Sequence, residues 1–243
     1  MSQDLKAILL VGGLGTRLRS VIPSSPKALA SIGERPFLEL LVRQLTAQGI
    51  RHLVLCTGYL AEQIEEVLGD GKEFGATIEY SKEDTPLGTG GALKLAQRFV
   101  QHGSEFLVLN GDSFLEADFE ALLSFHKRQG GVATIAVVPV ENAGRYGTVR
   151  FGADNRVQKF REKTGLDDPG IINAGVYVLS SSVFDKIPAG SVSLEQDVFP
   201  GLLEHGVYAF EQRGIFIDIG TPDDYKKAKQ MYDQLTNAAM LNR

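Results

Sequence analysis

A single cysteine, Cys56, stands in 243 residues. An intrachain disulfide is therefore excluded, and a reducing cytoplasm is the expected setting. Cys56 lies in the apolar run 53–56 and reads as a small buried hydrophobe rather than a nucleophile. Histidine is also scarce: His52, His102, His126 and His205 are scattered, none with zinc-ligand spacing, so a structural zinc is not expected. No stretch approaches the roughly 20 apolar residues of a membrane span. The apolar run 7–11 is too short for a signal-peptide core and lacks a cleavage pattern. Basic excess is missing too, with 25 Lys and Arg against 30 Asp and Glu and a net charge of -5. Neither nucleic acid nor a membrane is thus expected as a partner. An anionic small ligand would need a local cluster of cations.

Hydrophobic residues make up 43% of the chain, ordinary for a globular protein. Apolar periodicity and Gly or Pro punctuation predict strands over 6–11, 51–57, 76–80, 105–110 and 132–138. Between them, helices are predicted over 37–48, 61–68, 90–100 and 117–129. This alternation implies right-handed crossovers and a mostly parallel sheet with helices on both faces. Beyond it the rhythm changes. Strands are predicted over 146–151, 156–161, 171–179, 207–211 and 215–219, with helices over 195–203 and 222–235. Pro222 fits a first helical turn with Thr221 as its cap. The later strands read as insertions and edge strands added to the same sheet. No linker divides the chain, so residues 1–243 are expected to form one domain with two lobes.

The first strand runs directly into Gly12-Gly13-Leu14-Gly15-Thr16-Arg17. Open α/β sheets bind ligands at the carboxyl ends of their strands. Glycines there let several backbone N–H groups approach a triphosphate, and Arg17 adds a fixed cation. The loop is not a Walker A loop, because no Gly-Lys-Ser/Thr follows it. Nor is it a dinucleotide fingerprint, because Leu18 and Ser20 stand where the last glycine would fall. Lys27, after Pro26, supplies a second cation ten positions beyond Arg17.

Gly-Gly-x-Gly-Thr-Arg-Leu followed by Pro-Lys resembles the signature of the nucleoside-diphosphate-sugar pyrophosphorylases, the sugar-1-phosphate nucleotidyltransferases. The resemblance extends over nearly the whole chain. It is strongest to the guanylyltransferases acting on D-glycero-α-D-manno-heptose 1-phosphate, through segments 17–22, 36–39, 86–92, 145–149 and 216–220. Ala28 departs from the second proline usual in relatives, but the lysine is kept. The resemblance implies a Rossmann-like, glycosyltransferase-A-like fold. In it, residues 1–112 would form a nucleotide-binding lobe and 113–243 a smaller sugar-binding lobe. It admits a homodimer, and it implies a role in supplying surface glycans. No β-helix repeats of the kind some relatives append are seen after the closing helix.

The same resemblance places the nucleotide on Val11, Gly12, Gly13, Gly15, Thr16, Arg17 and Lys27, on Thr57 and Gly58, on Leu87, Gly88, Thr89 and Gly90, and on Asn110 and Gly111. Backbone contacts from the 87–90 segment suit guanine, thymine or uracil alike, so the motif leaves the base open. Tyr59 could line the base or merely pack. Tyr146, Gly147, Asn173 and Gly175 resemble sugar-pocket residues, and Asn173 offers both donor and acceptor. Glu195 resembles a sugar-hydroxyl ligand, though an acid at a helix start is also favoured by the dipole. Glu162 and Lys163 match a Glu-Lys pair whose lysine holds the sugar phosphate.

Asp112 and Asp218 each follow an apolar strand, where a phosphate-bound Mg²⁺ would find its one or two carboxylates. Arg17, Lys27, Asp112, Lys163 and Asp218 thus form the expected catalytic set. Substrates expected are GTP with the heptose 1-phosphate. The alternative is UTP, CTP or dTTP with mannose, glucose or N-acetylmuramate 1-phosphate. A remote alternative is a regulatory protein that binds the nucleotide sugar without turnover.

Overall fold

A computed structural model describes residues 5–161, 165 and 168–241. Strand β1 (Lys6–Leu10) is apolar after its lysine and buried across Ala7, Ile8 and Leu9. Two short strands, β2 (Ser31–Ile32) and β3 (Arg35–Pro36), form a separate ribbon before helix α1 (Phe37–Ala47). β1 pairs in parallel with β4 (His52–Thr57) on one edge and, on the other, with a later strand, β6 (Glu105–Asn110). Between those come helix α2 (Ala61–Leu68), strand β5 (Thr77–Lys82), which pairs in parallel with β4, and helix α3 (Gly88–Leu95).

Side chains alternate across a strand, and the two faces bury separate cores. Ala7, Leu9, Leu53, Leu55, Leu107 and Leu109 pack with α1, α2 and helix α4 (Phe119–Gln129). Ile8, Val54, Cys56, Phe106 and Val108 pack with α3 on the opposite face. The expected sheet with helices on both faces is therefore present.

Beyond β6 the pairing turns largely antiparallel, so the whole sheet is mixed. Strand β11 (Gly170–Ser180) lies against β6 through Val176–Ser180 and against β8 (Ala133–Val140) on its other edge; β12 (Val207–Glu211) then joins β8 in parallel. The beginning of β11 leaves β6 and pairs instead with β9 (Thr148–Phe151), itself paired with β10 (Val157–Arg161). The change of neighbour coincides with a register shift between Asn173 and Tyr177. Gly175 sits in that bulge at φ 74, a left-handed conformation that favours glycine. A Cβ there would come within 2.9 Å of the Asn110 amide. The sheet therefore forks beside the end of β6.

Three sequence expectations need correction. The strand expected at the sheet edge over 215–219 is instead β13 (Phe216–Asp218). It pairs antiparallel with β7 (Ser113–Leu115) in its own ribbon, and β7 carried too few residues to register as a strand. The single helix expected over 195–203 is a π turn (Leu194–Val198), one α turn, α5 (Phe199–Gly201), and a 3₁₀ turn (Leu203–His205). Pro200 has no N–H to continue an α ladder there. The closing helix is two, α6 (Pro222–Gln230) and α7 (Tyr232–Ala239), parted at Met231. The break lets α7 pack on α1 and Tyr232 lie over Gly33, where a Cβ would meet its ring at 2.6 Å.

Candidate active site

A cleft of about 1050 Å³ opens where the carboxyl ends of β1 and β6 meet the fork in the sheet. The glycine loop forms one wall. Val11 N–H donates to Cys56 O at 3.0 Å, tying the loop's start to β4, and buried Leu18 pins its end. Gly15, at φ 58, passes over Lys27, whose Cβ would lie 3.0 Å from a Cβ at that glycine. Arg17 is exposed on the cleft wall.

Asp112 and Asp218 converge through long-range pairing. β7 and β13 align Ser113 with Asp218, and Ile219 N–H donates to Asp112 O at 2.9 Å. Ser113 Oγ donates toward Asp112 Oδ1 at 3.3 Å and Asp218 Oδ2 at 3.2 Å, so one hydroxyl bridges both acids. Gly111 lets β6 cross tightly over the loop, for a Cβ there would sit 2.4 Å from Val11 Cγ1. Gly220 turns the chain after Asp218 and donates its N–H to Oδ1 at 2.7 Å. Lys27 Nζ meets Asp112 Oδ2 at 2.5 Å. Burial first, and the neighbouring Asp112 charge second, push the Asp218 carboxyl above its ordinary value. Two acids that crowd each other and draw in a lysine form a donor set suited to a hard cation. Among the described residues no group of three or more His, Cys, Asp or Glu converges. Two carboxylates are the protein share that a Mg²⁺ ion would take, with phosphate and water completing its shell.

At the fork, Glu195 accepts from Thr89 Oγ1 (2.9 Å), Tyr177 OH (3.2 Å), Ser193 Oγ (3.2 Å) and Asn110 Nδ2 (3.4 Å). One carboxylate thereby joins α3, β6 and β11. Asn110 Oδ1 is left buried without a partner at the cleft edge. Asn173 is engaged inside the bulge, accepting from Gly175 N–H at 2.9 Å and donating to Tyr177 OH at 3.0 Å. Tyr146 packs edge-on against Phe216 with ring centroids 5.7 Å apart. Next to it, Arg145 stacks on Tyr146 and grips both carboxylate oxygens of Asp224 on α6.

Of the residues singled out in the sequence, Val11, Gly12, Gly13, Gly15, Thr16, Arg17, Lys27, Gly88, Thr89, Asn110, Gly111, Asp112, Tyr146, Gly147, Asn173, Gly175, Glu195 and Asp218 all line this cleft. Thr57, Gly58, Leu87 and Gly90 stand behind the wall. Thr57 is fully buried, and Leu87 O and Gly90 N–H bond to Val192, docking α3 on the 192–194 segment. Gly88, at φ 70, would drive a Cβ to 2.5 Å from Val192 O. Tyr59 packs beneath the Arg19 guanidinium, 5.0 Å from ring centroid to carbon, and is not among the residues that line the cleft. Glu162 and Lys163 lie outside the described residues. Glu83, Ser113 and Asp224 escaped the sequence reading. Glu83 alone left a signal, being an acid just past the end of β5, at the edge where β1 and β4 also end.

A family model described as nucleotidyl transferase matches residues 6–234. The chain is 40% identical to D-glycero-alpha-D-manno-heptose 1-phosphate guanylyltransferase of Aneurinibacillus thermoaerophilus, covering 93% of this chain and 97% of that one. It is 38% identical to mannose-1-phosphate guanyltransferase beta-B of Xenopus laevis over 95% of its own length, and spans 65% of that relative. The crystal structure of HddC from Yersinia pseudotuberculosis complexed with GMP-PN superposes with a TM-score of 0.84 at 34% identity, covering 94% of this chain and 99% of that one. By the extent of the family match and by these identities, the chain belongs to the nucleotidyl transferase family.

Proposed function

We propose that this protein transfers guanylyl from GTP to D-glycero-α-D-manno-heptose 1-phosphate, giving the GDP-sugar and pyrophosphate. The observation that carries the reading is one cleft holding the glycine loop, two cations (Arg17 and Lys27) and the Ser113-bridged acids Asp112 and Asp218. The heptose substrate is favoured by a relative matched over nearly its full length. Mannose 1-phosphate is the second reading, supported by relatives of which the chain spans 65%. Residues 1–112 would serve as the nucleotide lobe and 113–243 as the sugar lobe of one domain, working in the cytoplasm where GTP is made.

The chemistry needs little covalent help. An already ionised phosphate oxygen of the sugar attacks the α-phosphorus in line, the new O–P bond forms, and the bond to the β-phosphate oxygen breaks. Pyrophosphate leaves with the electron pair, so no general base is required. Catalysis is then positioning and charge stabilisation. Arg17 neutralises the leaving pyrophosphate, Lys27 holds the triphosphate, and Lys163 with Glu162 receives the sugar phosphate. Asp112 and Asp218 would hold Mg²⁺, which when bound supplies positive charge to the phosphates. Glu195 holds the Thr89 hydroxyl and the Asn110 amide at the fork, where ribose and sugar would sit. The test is product analysis by anion-exchange chromatography with GTP and each sugar phosphate. A kcat/KM higher for the heptose than for mannose supports the proposal, and the reverse order replaces the sugar.

A further inference from the structure

We propose that the Arg145–Asp224 ion pair is a clasp that sets the sugar-phosphate wall of the cleft against the acid pair, and that both are positioning residues for the transfer. This rests on the nucleotidyl-transfer reading and extends it to two side chains that the chemistry itself does not use. Arg145 belongs to the loop between β8 and β9, whose Tyr146 and Gly147 line the cleft. Asp224 belongs to the first turn of α6, six positions beyond Asp218.

The two walls are built separately. Backbone bonds tie the loop toward β11: Ala143 N–H donates to Asp168 O at 2.9 Å, Gly165 N–H to Gly144 O at 2.9 Å, and Asn173 N–H to Gly147 O at 3.1 Å. The turn from Asp218 to Asp224 instead continues the β7–β13 ribbon, and Thr221 caps α6 by accepting from Asp224 N–H at 3.3 Å. Side chains join the walls. Tyr146 meets Phe216 edge-on, and Arg145, over the Tyr146 ring, donates to Asp224 Oδ1 at 3.1 Å and to Oδ2. An acid three positions after a helix cap commonly reaches back to the cap's own N–H. Asp224 instead accepts the Thr221 hydroxyl at 2.6 Å and gives both oxygens to Arg145. Its side chain is only 13% exposed, so water screens this pair less than an open surface pair. Burial alone would raise the Asp224 carboxyl, but the bonds from Arg145 and Thr221 outweigh it and hold it below its ordinary value.

Arg145 has both terminal nitrogens committed to a carboxylate, the bidentate geometry that fixes position best. Its contribution is therefore distance rather than contact with a phosphate. In-line attack needs the sugar phosphate to lie beside the α-phosphorus, and a displacement of about 1 Å can cost on the order of 100-fold. The nucleotide wall, built from the ends of β1 and β6 and the start of α3, lies outside the clasp. Arg145 also feels the Asp218 charge. A field effect and a clasp are separable, because the partners carry opposite charges. Removing the cation and removing the anion would move a field effect in opposite directions, and a clasp in the same direction.

The experiment measures steady-state kcat and KM for the sugar phosphate, and GTP affinity by calorimetry, for Arg145→Gln, Asp224→Asn and the double variant. The sugar is whichever of the heptose and mannose 1-phosphates the wild type uses better, and thermal unfolding is the folding control. Each single variant is expected to lose roughly 10- to 100-fold in kcat/KM for the sugar phosphate, with the GTP Kd within about threefold. The double variant is expected to lose no more than the worse single, because the pair acts as one unit. Arg145→Lys keeps the charge without the fork and is expected to show the same loss, which provides the readout if Asp224→Asn unfolds. Unchanged kcat/KM, changes of opposite sign in the two singles, additive losses in the double, or a parallel fall in GTP affinity overturns the proposal. A wild type that releases no pyrophosphate with any sugar phosphate overturns the transfer reading itself, a separate outcome.

Discussion

Through residue 112, the cleft residues lie within a few positions of a strand end or helix start: Val11 to Arg17 after β1, Thr89 at the start of α3, and Asn110 to Asp112 after β6. Beyond it they arrive by pairing between distant segments. Asp218 reaches Asp112 because β13 pairs with β7, with Ser113 and Asp218 105 residues apart. Gly175 reaches Asn110 because β11 changes neighbours at a bulge. The first half thus builds its part of the site by local strand-to-loop geometry, the second by tertiary pairing. The two should answer differently to mutation.

The largest expected effect lies where the halves meet. Asp218→Asn keeps the ribbon's shape and removes one of the two adjacent negative charges, and should lower kcat about 1000-fold or more with little change in Tm. A loss under tenfold in steady-state turnover would remove Asp218 from the proposed metal pair. Arg17→Ala, within the local half, should cost about 100- to 1000-fold in kcat/KM. It stands exposed on a loop pinned elsewhere by Leu18, so its unfolding curve should match the wild type. Unchanged kcat/KM would take Arg17 out of the mechanism.

Stability effects divide the halves in another way. Leu9→Ala empties a fully buried position on β1 and should cost about 2–5 kcal/mol in urea unfolding. Gly175→Ala forces a left-handed residue against Asn110 and should cost only about 1–3 kcal/mol. It should nevertheless raise KM for the sugar phosphate, because Asn110 and Glu195 would have to shift. A Gly175→Ala protein with normal KM would show that the fork does not shape the site.

A pH dependence, of about the size of the Gly175→Ala effect, also belongs to the second half. His126 bonds Thr134 Oγ1 at 2.9 Å between α4 and β8, and burial lowers its pKa to about 4. The unfolded chain would protonate it near 6.5. Above that pH it is neutral in both states. As the pH falls the unfolded state binds the proton first, so stability declines between about 6.5 and about 4. Relative to pH 7, the loss at pH 5 should be roughly 2 kcal/mol, and His126→Gln should abolish that part of it.

Legibility in the sequence followed the same division. The apolar runs behind β1, β4 and β6 and the loop residues at their ends could be read because strand, turn and site are contiguous. The β7–β13 ribbon could not, since Ser113–Leu115 is too short to show a period and its partner lies a hundred positions on. The break at Met231 lacks a local cause such as proline, and reflects the docking of α7 on α1. Glu83 was overlooked because the glycines beside its neighbours Leu87 and Pro86 drew the base-pocket reading toward backbone contacts. Its place in the cleft depends on Gly12 and Gly58 leaving space for its carboxylate, which only the folded chain displays.

The most direct test of the account is pyrophosphate release from GTP, UTP, CTP, dTTP and ATP with Mg²⁺, each paired with the heptose, mannose, glucose and N-acetylmuramate 1-phosphates. The account predicts release with GTP and the heptose phosphate well above every other pair, and its loss on chelation of the metal. Silence across all pairs from a folded protein would contradict nucleotidyl transfer at this cleft and leave a nucleotide-sugar-binding protein in its place.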